Sequence, residues 1–223
     1  MPFQAPESLP LAYYSDVLCI HAYVAEAKIA ELVAKYGDRV RVNRRFFPSF
    51  GDTETKISDA WKEKGGWEGY TRHVREMAAK FPHIEVNPAT WAETRPASSH
   101  SPHLLLKAIQ LAEPERAEAA MWGIRQAFFK DARDVGCWDI QRQVVEETGA
   151  DISRAEAAIR DGRAFAALSS DYQSAQEDKV AGSPTFLFPE GRQKLYGDVG
   201  FRIIDANVSE LLRPPSPGNP AWC

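Results

Sequence analysis

The chain has 223 residues, 44% of them hydrophobic, and a formal net charge of −4. That is enough for one full core, or a core plus a subdomain, while mild acidity without a basic stripe excludes the clustered Lys and Arg that a phosphate backbone requires. No apolar run reaches bilayer length, and the absence of Lys or Arg before Lys28, with Asp16 and His21 interrupting the early apolar residues, argues against a secretory leader.

In chain order, Leu9 to Ser15 reads as a strand. A helix follows, because Ala22, Ala25, Ile29, Leu32, Val33 and Tyr36 recur at the spacing of one buried face and Gly37 supplies a C-terminal stop. Cys19 therefore falls where the helix begins. Unpaired N–H groups and the positive end of the helix dipole favour an anion there, so a cysteine pKa is expected to drop from about 8.5 to roughly 3.5–7.5. His21 would add positive charge or a donated hydrogen bond. Tyr13, Tyr14 and Tyr23 flank this segment and read as packing residues.

A second strand is expected over Arg39 to Phe47. The region Phe50 to Pro96 reads as helix, loop and helix, with Gly65-Gly66, Pro82 and Pro88 as interruptions. Helical periodicity then returns over His103 to Ala112, Arg116 to Lys130, Asp139 to Thr148, Ser153 to Arg160 and Arg163 to Lys179. Ser153 and Glu156 have the spacing of a capping box. The segment Val180-Ala181-Gly182-Ser183-Pro184-Thr185-Phe186-Leu187-Phe188 places a proline directly ahead of a β-rich run. A cis bond is easily accommodated at such a place. It would turn the Ser183 backbone outward as an open edge opposite Cys19. The tail from Pro214 to Pro220 is rich in Pro and Gly and reads as extended. The resulting division is 1–55 and 162–213 as two parts of one α/β unit, 56–161 as a helical insertion, and 214–223 as a tail.

Three cysteines, an odd number, fit reduced thiols in a cytoplasmic setting better than a disulfide framework. Cys137 beside Trp138 reads as packing. His100 and His103 have a His-x-x-His spacing, but no third ligand completes a metal set, and a helix start with Pro102 near its first turn is the simpler use.

The motif Cys19-Ile20-His21-Ala22, together with Gly182-Ser183-Pro184-Thr185, resembles the DsbA family of the thioredoxin superfamily, which includes 2-hydroxychromene-2-carboxylate isomerase and kappa-class glutathione transferase. The resemblance runs from about Leu9 to Arg213 and implies an α/β thioredoxin-like fold with a helical insertion. The family's Cys-Pro-His-Cys site keeps its histidine here, but its second cysteine is replaced by Ala22. Intramolecular disulfide cycling within the motif is thereby excluded and monothiol chemistry remains. The resemblance implies catalytic roles for Cys19 and His21, and substrate contact by Ser183, Pro184 and Asp198. Independently of it, the proline-rich tail would carry Cys223 toward Cys19 as a possible resolving thiol. Residues 198–202 depart from the Asp-Arg pair of glutathione-using relatives. It also implies glutathione as a possible co-substrate with no tightly bound cofactor, a small thiol or disulfide-containing peptide as partner, and compatibility with a homo-oligomer. Two alternatives accompany the monothiol oxidoreductase: a glutathione-dependent isomerase or transferase, and a non-catalytic thiol-peptide binding or chaperone-like module.

Overall fold

The structure, a computed structural model, describes residues 8–191 and 193–213. The tail and Cys223 lie outside the described residues.

Strand β1 (Leu9–Ser15) has the expected bounds, and its alternating side chains separate two layers. Leu9, Leu11 and Tyr13 face one side, where they meet Ala25, Ile29 and Leu32 of helix α1 (Ile20–Tyr36) and Ile204 and Val208 of helix α9 (Phe201–Leu211). Ala12 and Tyr14 face the other side, against Ala175 of helix α8 (Arg163–Glu177). Strand β2 (Val40–Phe46) pairs parallel to β1, as a β-helix-β connection requires. Strands β3 (Thr185–Leu187) and β4 (Lys194–Tyr196) complete the sheet, antiparallel, in the order β2-β1-β3-β4.

Between β2 and β3 the chain is helical: α2 (Thr53–Ala60), α3 (Gly66–Ala78), α4 (His100–Ala112), α5 (Ala117–Phe129), α6 (Trp138–Glu147), α7 (Ile152–Arg160) and α8. The largest core cluster forms where these helices meet residues 17–24, the segment that carries Cys19. The insertion therefore packs against the start of α1.

The helix, loop and helix expected after Phe50 are α2 and α3; residues 79–99 contain no helix, and their prolines Pro82, Pro88 and Pro96 withhold the amide donors a helix needs. Two sequence expectations change in detail. Helix α7 is capped by Asp151, whose carboxylate accepts the Ser153 N–H at 2.9 Å, and not by Ser153. Glu156 instead approaches Arg142 and Arg160. Cys137 is the exposed N-cap of α6 and is not a packing residue.

Gly69 fixes how α3 begins. A Cβ there would lie 1.9 Å from the Lys64 carbonyl oxygen, which is backbone and cannot swing aside. Gly69→Ala should therefore cost at least the about 1–3 kcal/mol typical of overpacking. Gly200→Ala, where a Cβ meets nothing within 4 Å, should cost no more than the roughly 1 kcal/mol by which alanine is the poorer N-cap of α9. Urea unfolding of both variants checks this.

Candidate active site

Cys19 is the N-cap of α1, with extended backbone angles, and is 6% exposed. Its sulfur lies 3.3 Å from the Ser183 carbonyl oxygen, to which the thiol donates. The Ser183–Pro184 peptide is cis. The structure thus brings Cys19 and Ser183 together across 164 positions of sequence. The Ser183 carbonyl is already engaged by the thiol.

The Cys19 pKa moves opposite to the expectation from the helix start. Burial pushes the thiol up. The Ser183 hydroxyl and the backbone N–H groups of Ala22 and His21 pull it down, Asp16 adds a further upward push, and the net direction is upward. A helix terminus stabilises a thiolate only by what remains after water is removed, and here desolvation wins. His21 supplies no charge either. Burial and the neighbouring His73 hold its pKa below the ordinary histidine value, and its Nδ1 is buried without a partner.

Asp198 does not stand free beside the thiol. It is paired with Lys28 of α1, which also donates to the Val199 carbonyl at 2.9 Å. The Pro184 carbonyl accepts the Gly197 N–H at 2.9 Å, which fixes the turn leading to Asp198.

Several residues of the site were not singled out as functional by the sequence. Asp16 is fully buried directly after β1. Its Oδ1 accepts the Leu18 N–H at 2.8 Å, and its Oδ2 accepts the Phe50 N–H at 2.8 Å and the Ser99 hydroxyl at 2.7 Å. Its backbone N–H donates to the Ser183 Oγ at 2.8 Å. Burial raises its carboxyl to about 6, although these hydrogen bonds oppose the shift.

His103 is also fully buried. It accepts the Val17 N–H on Nε2 at 3.2 Å, which leaves the ring proton on Nδ1, 3.2 Å from the Tyr172 hydroxyl. Burial keeps it neutral, so the 3.6 Å approach of Asp16 is not an ion pair. Both ring nitrogens are occupied by structural hydrogen bonds.

Arg125 reaches beneath the same turn. It donates to the Ala22 carbonyl and the Ser15 Oγ, each at 3.0 Å, and pairs with Glu26. On the insertion side, Tyr70 and His73 of α3 and Trp61 form an aromatic group extending to His21: Trp61 to His73 is 4.9 Å and His73 to His21 is 5.7 Å between ring centroids. An acid between a strand and a cysteine was the one available sign of Asp16. For the aromatic wall, periodicity gave none.

A family model described as Thioredoxin matches residues 13–210. The chain belongs to this thioredoxin family. Its fold is that of DsbA-like oxidoreductases: it superimposes on a probable DsbA oxidoreductase, SCO1869, from Streptomyces coelicolor with a TM-score of 0.74 at 19% identity, covering 93% of this chain and 92% of that one. The cytosolic disulfide reductase DsbM from Pseudomonas aeruginosa gives a TM-score of 0.66 at 18% identity, over 90% and 99% of the two chains. By sequence, the ClpXP adapter protein SpxH from Halalkalibacterium halodurans is 27% identical over 183 residues, 80% of this chain. The match spans 58% of the length of that curated relative.

The buried carboxylate gives the site a measurable signature. Alkylation of Cys19 should accelerate with pH up to a midpoint above the ordinary value of about 8.5. Asp16→Asn should move that midpoint down by removing a nearby negative charge. It should also lower stability, because an amide NH2 would face the Phe50 N–H. Rates of iodoacetamide labelling against pH, with urea unfolding in parallel, measure both effects, and an unmoved midpoint would exclude electrostatic coupling of the two groups.

Proposed function

We propose that the protein is a monothiol oxidoreductase that forms and releases mixed disulfides at Cys19, with glutathione or a small disulfide-containing peptide as the exchanging partner. The observation that carries this reading is the contact between the Cys19 sulfur, at the start of α1, and the Ser183 main chain. A substrate backbone laid along Ser183 would hold its sulfur beside Cys19. His21, Pro184 and Asp198 are proposed to line that path, Asp198 through its pair with Lys28.

The chemistry balances with external thiols alone. The Cys19 thiol first loses its proton to solvent. The thiolate attacks one sulfur of the incoming disulfide, the S–S bond breaks, and the departing thiolate takes up a proton. A second external thiolate then attacks the mixed disulfide and restores Cys19. A high pKa makes the thiolate scarce at neutral pH but more nucleophilic once formed. The DsbM neighbour is described as cytosolic and has been solved with glutathione.

One observation favours a second reading. A thiol held neutral by burial and donating to a carbonyl is equipped to donate a hydrogen bond to a bound glutathione thiolate without itself reacting, as a glutathione-dependent isomerase or transferase would require.

Mass spectrometry after incubation with oxidised glutathione separates these readings. In a Cys137→Ser/Cys223→Ser background, a single glutathione adduct on Cys19, absent when Cys19→Ser is added, is expected for the oxidoreductase. Saturable glutathione binding without an adduct would move the assignment to the isomerase or transferase class. Neither adduct nor glutathione binding would leave a non-catalytic module; the SpxH relative is named as an adapter protein.

Ala22 offers an independent check. It is fully buried one turn into the motif, where a cysteine would restore the dithiol spacing. On oxidation, Ala22→Cys should form a disulfide between Cys19 and the introduced thiol. In the presence of dithiothreitol it should reduce insulin at least roughly tenfold faster than the unaltered chain, about 1.4 kcal/mol in barrier. Equal rates would show that the missing thiol is not what limits dithiol turnover.

A further inference from the structure

Tyr196 ends strand β4 and is 60% exposed, more than any other large hydrophobic side chain among the described residues. Its ring is nevertheless held in one place. A Cβ on Gly182 would lie 2.7 Å from Tyr196 Cε2, 2.8 Å from the hydroxyl oxygen and 3.1 Å from Cζ, so the far end of the ring lies across the Gly182 backbone. Only a glycine leaves room for it there. Gly182 is itself buried and directly precedes Ser183, whose carbonyl accepts the Cys19 thiol. The tyrosine therefore covers the loop on which the thiol site is built, while most of its surface stays open to water.

The sheet register decides which substrate side chain would meet this ring. Tyr14, Thr185 and Tyr196 are direct partners across β1, β3 and β4, and direct cross-strand partners share a face. That face is the α8 side, where Tyr14 packs with Ala175. Cys19 belongs to α1, which packs on the opposite face through Ala25, Ile29 and Leu32. In an extended peptide laid along the Ser183 main chain, successive side chains alternate between the two faces. When the substrate cysteine points to Cys19, its neighbour on the Gly182 side points to the α8 face, toward Tyr196. Glutathione offers only glycine and a γ-linked glutamate beside its cysteine, so it brings no apolar side chain to that place.

We propose, on the monothiol reading of Cys19, that Tyr196 is a specificity-determining residue that selects peptide disulfides carrying an aromatic or large aliphatic residue next to the cysteine, in preference to glutathione disulfide. A tyrosine side chain has only two rotatable angles, and this one already rests on Gly182, so little freedom is lost when a substrate side chain covers it. The apolar area covered and the ring-on-ring contact together correspond to roughly a tenfold preference. The ring makes the contact; the hydroxyl is dispensable.

The test compares disulfide homodimers of two N-acetylated, C-amidated tripeptides, Phe-Cys-Phe and Ala-Cys-Ala, on the full chain in the Cys137→Ser/Cys223→Ser background. Mass spectrometry should show the Cys19 adduct forming roughly tenfold faster with the phenylalanine peptide. Tyr196→Ala should bring the ratio of the two rates close to one, and Tyr196→Phe should retain it. Because the ring is mostly exposed, both variants should melt near the temperature of the unaltered chain, which separates lost selectivity from lost folding. Calorimetric titration with the S-methylated forms of the same peptides reads the preference without any thiol chemistry. A phenylalanine preference that survives Tyr196→Ala, or equal handling of both peptides by the unaltered chain, overturns the assignment of Tyr196, while a glutathione adduct on Cys19 would still uphold the monothiol reading. Conversely, a Tyr196-dependent preference for the S-methylated phenylalanine peptide with no adduct on Cys19 upholds Tyr196 and removes the monothiol reading.

Discussion

The arrangement of the thiol site depends on one buried carboxylate. Asp16 receives hydrogen bonds from the turn between β1 and α1, from the loop after β2, and from the residue preceding α4, while its own N–H holds the Ser183 side chain. Three segments distant in sequence are thereby tied to the turn that carries Asp16. Such a group is costly to bury and is retained only where its hydrogen bonds are made. Here each oxygen is satisfied, and the geometry of those donors fixes where Cys19 sits relative to Ser183. Removing any one donor would leave a buried acceptor short, so the site is held as a unit.

A second charged cluster supports the same turn from below. Arg125 is fully buried, an expensive position for a guanidinium, and its cost is met by Glu26, the Ala22 carbonyl and Ser15. Glu26 in turn receives Arg44 through two hydrogen bonds at 3.1 and 2.8 Å. Burial alone would raise the Glu26 carboxyl, but the two arginines overcome it and hold it below the usual carboxylate range. The network joins α1, α5 and β2, two parts of the sheet unit and one of the insertion. It ties the insertion to the first turn of α1 by directional bonds as well as by apolar packing.

Much of the fold was legible because periodicity reports burial. β1 and the C-terminal end of α1 have the bounds read from the sequence, and the helices of the insertion shift by a few residues at most where caps compete, as at Asp151. The pairing of Cys19 with Ser183 was legible from the two motifs, since a cysteine at a helix start and a proline ahead of a strand each have a limited set of uses. What the sequence concealed was the third dimension around them. Nothing in a linear pattern says that α3 presents Tyr70 and His73 to this side of the molecule, or that Arg125 reaches back from α5 to the Ala22 carbonyl. Those positions are set by how helices pack, and helix packing is a property of whole faces and not of spacing.

The acidity of Cys19 shows the same limit in energetic form. From sequence, its place at a helix N-terminus implies a stabilised thiolate, an effect of about 0.3–1 kcal/mol at exposed sites and up to about 2 when partly buried. Burial acts with the opposite sign and can shift a fully buried group by as much as about 3–5 pKa units. At 6% exposure, beside the ionisable carboxyl of Asp16 in the same turn, the larger quantity decides. The local N–H groups still orient the sulfur, because a hydrogen-bond donor directs even when it does not ionise its acceptor. The resting site is therefore a neutral thiol, pre-positioned at the start of α1 and donating to the Ser183 carbonyl. Under the proposed reading, a substrate that pairs with the Ser183 carbonyl meets an acceptor the thiol already uses, and the second lone pair of that carbonyl is what remains open.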